Sequence, residues 1–193
     1  MRPLISLLIA VALVAVTGCG DSDDEPSGGP EPTSVETAEP LPKLPPGWRD
    51  YRNRAGGFVL GLAPAWTARE LGTRSLIQSP EQLVAVTISA DRTDDAVALA
   101  PDASAIRTLE ALTTFEGLRA GDPQPFRHRY DAIEVEASGT ANGIRQRLSL
   151  VLLRREGFVV ITALVAENAE QDARAQAATA LRMLRTLRTQ PVG

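Results

Sequence analysis

The chain predicts an α+β domain: a central antiparallel sheet, built as a meander and flanked by helices on both faces. Three observations predict it. Ile133, Val135 and Ala137 alternate with Glu134, Glu136 and Ser138, the period of a half-buried strand. Asn142-Gly143 follows, a two-residue hairpin turn whose positions both tolerate φ > 0. Apolar residues at helical spacing then close the sequence, from Ala173 to Leu187.

A turn centred on Asn142-Gly143 pairs Ile133 with Leu152, Val135 with Leu150 and Ala137 with Leu148. All three pairs fall on one face, so turn chemistry and apolar pattern agree on register. A second turn at Glu156-Gly157 pairs Leu152 with Ile161, Leu150 with Ala163 and Leu148 with Val165. The opposite face still carries Val151, Leu153, Val160 and Leu164. A sheet apolar on both faces requires cover on both.

Helices are the expected cover. Asn168 with Gln171 makes a capping pair, and Glu170 and Asp172 sit in the first turn. Ala173, Ala177, Ala180, Leu181, Leu184 and Leu187 mark one helical face. Arg182, Arg185 and Arg188 suit the C-terminal end of the dipole. A second helix is expected from about Ala103 to Arg119, opened by Pro101-Asp102 and stopped near Gly121. Its apolar residues (Ile106, Leu109, Leu112, Phe115, Leu118) step by three and wind around the axis. Upstream, Leu83–Ala90 reads as a strand, with shorter strands at Phe58–Leu62 and Leu71–Gln78.

The N-terminus has a different character. Arg2 precedes an apolar run from Leu4 to Val16, and Val16-Thr17-Gly18-Cys19 ends it. A positive start, an apolar middle and small residues before a cut make a secretory signal. The run would extend about 20 Å as a helix, too short for a hydrocarbon core of about 30 Å. The string resembles a bacterial lipobox, in which the cysteine receives a diacylglyceryl group and becomes the mature N-terminus. Cys19 is the only cysteine, so no internal disulfide competes for it. Residues 1–18 are therefore expected to be a lipoprotein signal peptide, with Cys19 anchored in the membrane and the protein on its outer face.

Residues 19–47 are expected to be a disordered tether. They hold half of the chain's 14 prolines and seven acids against the single Lys43. Such a segment buries too little to offset its ordering entropy. It reaches about 30 Å as a coil and about 85 Å if extended. The whole chain carries −4, the signal segment +1 from Arg2, the tether −6, and residues 48–193 therefore +1. The acidity belongs to the tether, and nothing calls for a nucleic-acid partner. Residues 48–193 suffice for a single globular domain.

Trp48 and Tyr51, then Gly57-Phe58-Val59-Leu60, then Pro64-Ala65-Trp66 resemble the opening of PsbP-like domains. From Trp48 to about Leu187 the order of elements is also similar to that family, including the LpqN-type actinobacterial lipoproteins. The resemblance implies a central antiparallel sheet between helices. It also implies a docking or accessory role, and it carries over no catalytic residue.

Candidate sites are few. His128 is the only histidine and has neither a Gly-x-Ser-x-Gly elbow nor cysteine partners to serve. It reads as a surface residue at a strand end. Arg127 and Arg129 alternate there, as do Arg145 and Arg147, so the two pairs are a candidate partner or anion surface. Cross-strand ion pairing is the competing reading, because Glu136 lies diagonal to Arg147. Glu134 and Glu136 lack an apolar pocket to raise either pKa for acid–base work. Trp48, Tyr51 and Trp66 either line a groove or lock the N-terminal strands to the core.

No phosphate-cradling loop, EF-hand loop or metalloprotease motif occurs, so no cofactor or metal is expected. The expected function is that of a non-enzymatic docking or accessory lipoprotein of the cell envelope, bound to another envelope protein. The alternative is a small-ligand or lipid-binding envelope module. A deep apolar cavity would favour the ligand and a flat patch would favour docking.

Overall fold

Antiparallel strands dominate the computed structural model, which describes residues 43–93, 105, 108, 115–155, 158–167 and 171–190. The strands are β1 (Arg49–Asn53), β2 (Phe58–Leu62), β3 (Thr67–Leu71), β4 (Arg74–Gln78), β5 (Val84–Asp91) and β6 (Glu116–Ala120). They continue as β7 (Gln124–Pro125), β8 (Asp131–Ala141), β9 (Ile144–Arg155) and β10 (Phe158–Glu167). Helix α1 (Gln171–Leu184) and β11 (Arg188–Thr189) complete the order. A large antiparallel sheet runs β3-β4-β5-β10-β9-β8-β6, with β7 also on β8, and a small one runs β1-β2-β11.

The meander has the expected register, and of its two turns Glu156-Gly157 lies outside the described residues. Ile133 pairs with Leu152, Val135 with Leu150 and Ala137 with Leu148. Leu152 pairs with Ile161, Leu150 with Ala163 and Leu148 with Val165. Asn142 and Gly143 both have positive φ, 52° and 74°, as a type I′ turn requires.

The expectation of helices on both faces is overturned. The fold is mostly β, in two sheets, and α1 is the one helix whose span lies in the described residues. Val151, Leu153, Val160 and Leu164 are covered by the small sheet together with α1. Phe58, Leu60 and Leu62 of β2 and Ala180, Met183, Leu184 and Leu187 around α1 form one cluster with them. The physical reason is that β2 is apolar at every second position and acquires partners on both sides. β1 and β11 hydrogen-bond to it, so it forms a layer of its own. Arg188 of β11, only 2 % exposed, donates from Nη2 to Asp50 of β1 at 3.1 Å, fastening the three strands.

The second expected helix fares differently along its length. Residues 103–104, 106–107 and 109–114 lie outside the described residues, while Ala105 and Thr108 have helical backbone. Its last part, residues 116–119, is strand β6 instead. The other face of the large sheet buries Ala105 against Val135, Leu150, Leu152 and Ala163. It also buries Phe115, with Leu118, against Ala137, Ala141, Leu148 and Val165. Among the described residues no helix is long and apolar enough to cross a membrane.

Candidate functional site

Strand alternation decides what each end of the large sheet displays. In β9 the even residues Leu148, Leu150 and Leu152 belong to one core face, so Arg145, Arg147, Val151 and Leu153 share the other. Val151 and Leu153 are covered by the main core. Arg145 and Arg147 lie beyond that cover, at the turn end of the β8–β9 hairpin, and are exposed. Ser138 and Thr140 of β8 stand directly beside them.

A third arginine joins this face through an irregularity in β6. Glu116 pairs with Thr140 but Arg119 pairs with Ser138, a register shift of one extra residue on β6. Gly117 takes φ 59° at that point, the left-handed backbone of a glycine bulge. The bulge lets Phe115 and Leu118 both enter the core while Glu116 and Arg119 both turn outward. Simple alternation would put Glu116 and Arg119 on opposite faces. Gly139 permits the close approach. A Cβ there would stand 3.3 Å from Phe115 Cβ and 3.4 Å from Leu118 Cδ1.

Arg119, Ser138 and Arg147 thus form one row across three strands. The outer two are about 10 Å apart at two strand spacings, and Arg145 lies about 7 Å along the strand from Arg147. Glu116 and Glu136 interleave with them on the same face. None of the three guanidinium groups makes an ion pair among the described residues. Charge-assisted hydrogen bonds are the chemistry such a row offers, to a carboxylate or a phosphate.

Arg127 and Arg129 are elsewhere. Asp131 pairs with Arg154 and Thr140 with Arg145, so the two arginine pairs sit at opposite ends of the hairpin, about 30 Å apart. The structure does not bring the four arginines together. Residues 126–127 are irregular and 128–130 bend, so none of them is strand, and they fasten the C-terminal segment. His128 Nε2 donates to Leu187 O at 3.0 Å, a role fixed because Nδ1 accepts from Tyr130 N at 3.1 Å. The imidazole stacks on Phe126 and tilts against Tyr130. Thr189 N donates to Tyr130 Oη, Arg155 donates to Thr189 Oγ1 at 2.6 Å and lies over the Tyr130 ring, and Arg185 lies over Phe126. Burial lowers the His128 pKa below its ordinary value, against the raising effect of the Leu187 carbonyl and with Arg129 adding to the fall.

The aromatic candidates are attached to the core. Trp66 is buried in the main cluster, and Trp48 and Tyr51 pack against it. Tyr51 Oη shares a 2.8 Å hydrogen bond with Ser75 Oγ, and Arg182 of α1 lies over the Trp48 ring. A surface recess of about 400 Å³ lies elsewhere, lined by Ala55, Gly56, Thr73, Ala90, Asp91, Arg92 and Thr93. Cys19 lies outside the described residues.

Sequence reasoning missed Arg119, which fell inside the expected helix. The signal was present in Phe115-Glu116-Gly117-Leu118-Arg119: a glycine between two apolar residues three apart marks a bulge as readily as a helix.

No family model matches the chain, and no curated protein sequence does. Solved structures do resemble it. The Ran-binding protein Mog1p of Saccharomyces cerevisiae superposes with a TM-score of 0.52 at 12% identity, over 74% of this chain and 95% of Mog1p. The cyanobacterial PsbP protein CyanoP of Synechocystis sp. PCC 6803 gives 0.52 at 10% identity, over 78% of this chain and 99% of CyanoP. LpqN of Mycobacterium tuberculosis, involved in cell envelope biogenesis, gives 0.35 at 18% identity, over 79% and 83%, a likeness too loose to add to the fold. The fold that joins these strands is the one CyanoP and Mog1p share, and the PsbP-like resemblance read from Trp48 to Leu187 is a resemblance of fold.

Proposed function

We propose that the chain is a lipid-anchored, extracytoplasmic docking protein of the cell envelope, with no reaction of its own. Residues 1–18 are its signal peptide, Cys19 its lipid anchor, residues 19–47 its tether and residues 48–193 its folded domain. The observation that carries the reading is the exposed, charged end of the large sheet. There, rigid strands hold Arg119, Arg145 and Arg147 outward without ion-pair partners among the described residues. Exposed charged side chains displayed on a sheet face suit a docking surface better than an enclosing ligand pocket. Mog1p, a Ran-binding protein of the same fold, is a precedent for the fold serving partner binding. The partner on this reading is another envelope protein.

Native mass spectrometry of the intact lipoprotein, gently extracted from its own membrane, tests the reading. An added mass of protein size is expected. An added mass of a few hundred daltons beyond the lipid would overturn it in favour of a small-ligand or lipid-binding module. The anchor has its own test: Cys19→Ser should move the protein from the membrane fraction to the soluble fraction.

A further inference from the structure

We propose that the Arg119–Ser138–Arg147 row, extended by Arg145, is a docking surface for an acidic polypeptide segment. The proposal rests on the docking reading above and adds the chemistry of the partner. Its first support is the bulge. Gly117 adopts φ 59° with open space around it. That conformation puts Arg119 on the face of Ser138 and Arg147. Bulges that re-aim a side chain are characteristic of functional edges.

The second support is charge. Three guanidinium groups without ion-pair partners among the described residues present fork-shaped donors to carboxylates. An extended acidic segment carries its same-face carboxylates about 7 Å apart, the spacing of Arg145 and Arg147.

Two features favour a polypeptide over an anionic bilayer. Glu116 and Glu136 lie among the arginines, and a uniform layer of phosphates would repel them, whereas a patterned chain can avoid them. Among the described residues the face also offers no exposed large apolar side chain for insertion. Among the described residues the exposed large apolar side chain is Leu71, on β3 at the opposite edge of the sheet.

The test uses the full-length lipidated protein in a neutral detergent and a fluorescent alternating Glu-Thr peptide of about ten residues, which presents carboxylates at strand spacing. Anisotropy titration should show binding that weakens as salt rises. The double substitution R119A/R147A should weaken it by about tenfold or more. R127A/R129A, at the other end of the hairpin, should leave it unchanged. Equal affinity in R119A/R147A, or no binding by the wild type, would overturn the proposal. So would stronger binding of the mature chain from residue 19, carrying Cys19→Ser and therefore no lipid, to phosphatidylglycerol vesicles than to the peptide.

The two readings fail separately. A protein-sized partner retained by R119A/R147A in native mass spectrometry leaves docking intact and overturns this surface. Arginine-dependent peptide binding with no protein partner in the wild type preserves the acidic site and overturns the docking reading.

Discussion

The two ends of the β8–β9 hairpin use the same residue types in opposite ways. At the open end, His128, Arg155 and Arg185 are engaged: with a backbone carbonyl, a threonine hydroxyl and two aromatic rings. At the turn end, Arg119, Arg145 and Arg147 are exposed and hold no ion pair among the described residues. The difference lies in what faces them. The open end meets the C-terminal segment 185–190, whose carbonyls and hydroxyls need donors, and the chain's own aromatic residues supply π faces. The turn end extends past the edge of the cover, where the last covered neighbour is Ala166, paired with Arg147. A basic residue is structural or available according to whether the fold supplies it an acceptor.

The largest expected effect breaks the fastened end. Phe126 is 6 % exposed, belongs to the main cluster and carries Arg185 over its ring. Phe126→Ala removes a buried ring and should cost about 3–5 kcal/mol, read as a lowered urea midpoint. A loss under about 1 kcal/mol would mean that the end is not fastened as described.

His128 sharpens the same comparison through pH. His128→Gln loses the stack and disturbs two hydrogen bonds, and should cost about 1–2 kcal/mol at neutral pH. The sign of the pH dependence follows from the lowered pKa. The unfolded chain takes up this proton more readily than the folded one, because the buried ring resists charging and Nδ1 is occupied by Tyr130 N–H. The stabilisation is therefore complete above the unfolded value of about 6.5 and declines as pH falls through it toward the folded value. Urea unfolding of both proteins at several pH values should show the stability gap narrowing on acidification. A gap that widens on acidification would refute the neutral-ring assignment.

How much of this was legible in the sequence varies with the range of the interaction. The meander was readable because its register is set locally, by Asn142-Gly143 and by alternation, and both point to one face. The two-layer cover was not. Nothing local says that β11, near the C-terminus, pairs with β2 near residue 59, so the apolar run of β2 reads as one more strand of a single sheet. Arg127 and Arg129 alternate like a strand, but the chain bends at 128–130 and is held there by hydrogen bonds to Leu187 and Thr189, far along the chain. Arg119 was hidden because a three-residue apolar step is shared by a helix and by a bulged strand.

Gly117 tests the aim of the free end. Alanine there meets no steric neighbour, so any cost comes from the left-handed backbone alone, about 1 kcal/mol. Gly117→Asn tolerates that backbone better and should lose less. If the bulge aims Arg119, Gly117→Ala should also weaken binding of the acidic peptide, and Gly117→Asn should restore part of it. Equal stability and equal binding in all three proteins would show that the bulge does not constrain this edge.

The smallest expected effect is the most diagnostic. Arg145→Ala and Arg147→Ala remove exposed side chains that hold no ion pair among the described residues, so each should change stability by no more than about 0.5 kcal/mol. Had Arg147 been paired with its diagonal neighbour Glu136, a double-mutant cycle of the two would show a coupling of about 0.2–1 kcal/mol that fades with salt. A cycle that closes to zero means the guanidinium is free to engage a partner. A clear coupling would make Arg147 a fastener like Arg155, and the contrast between the two ends of the hairpin would collapse.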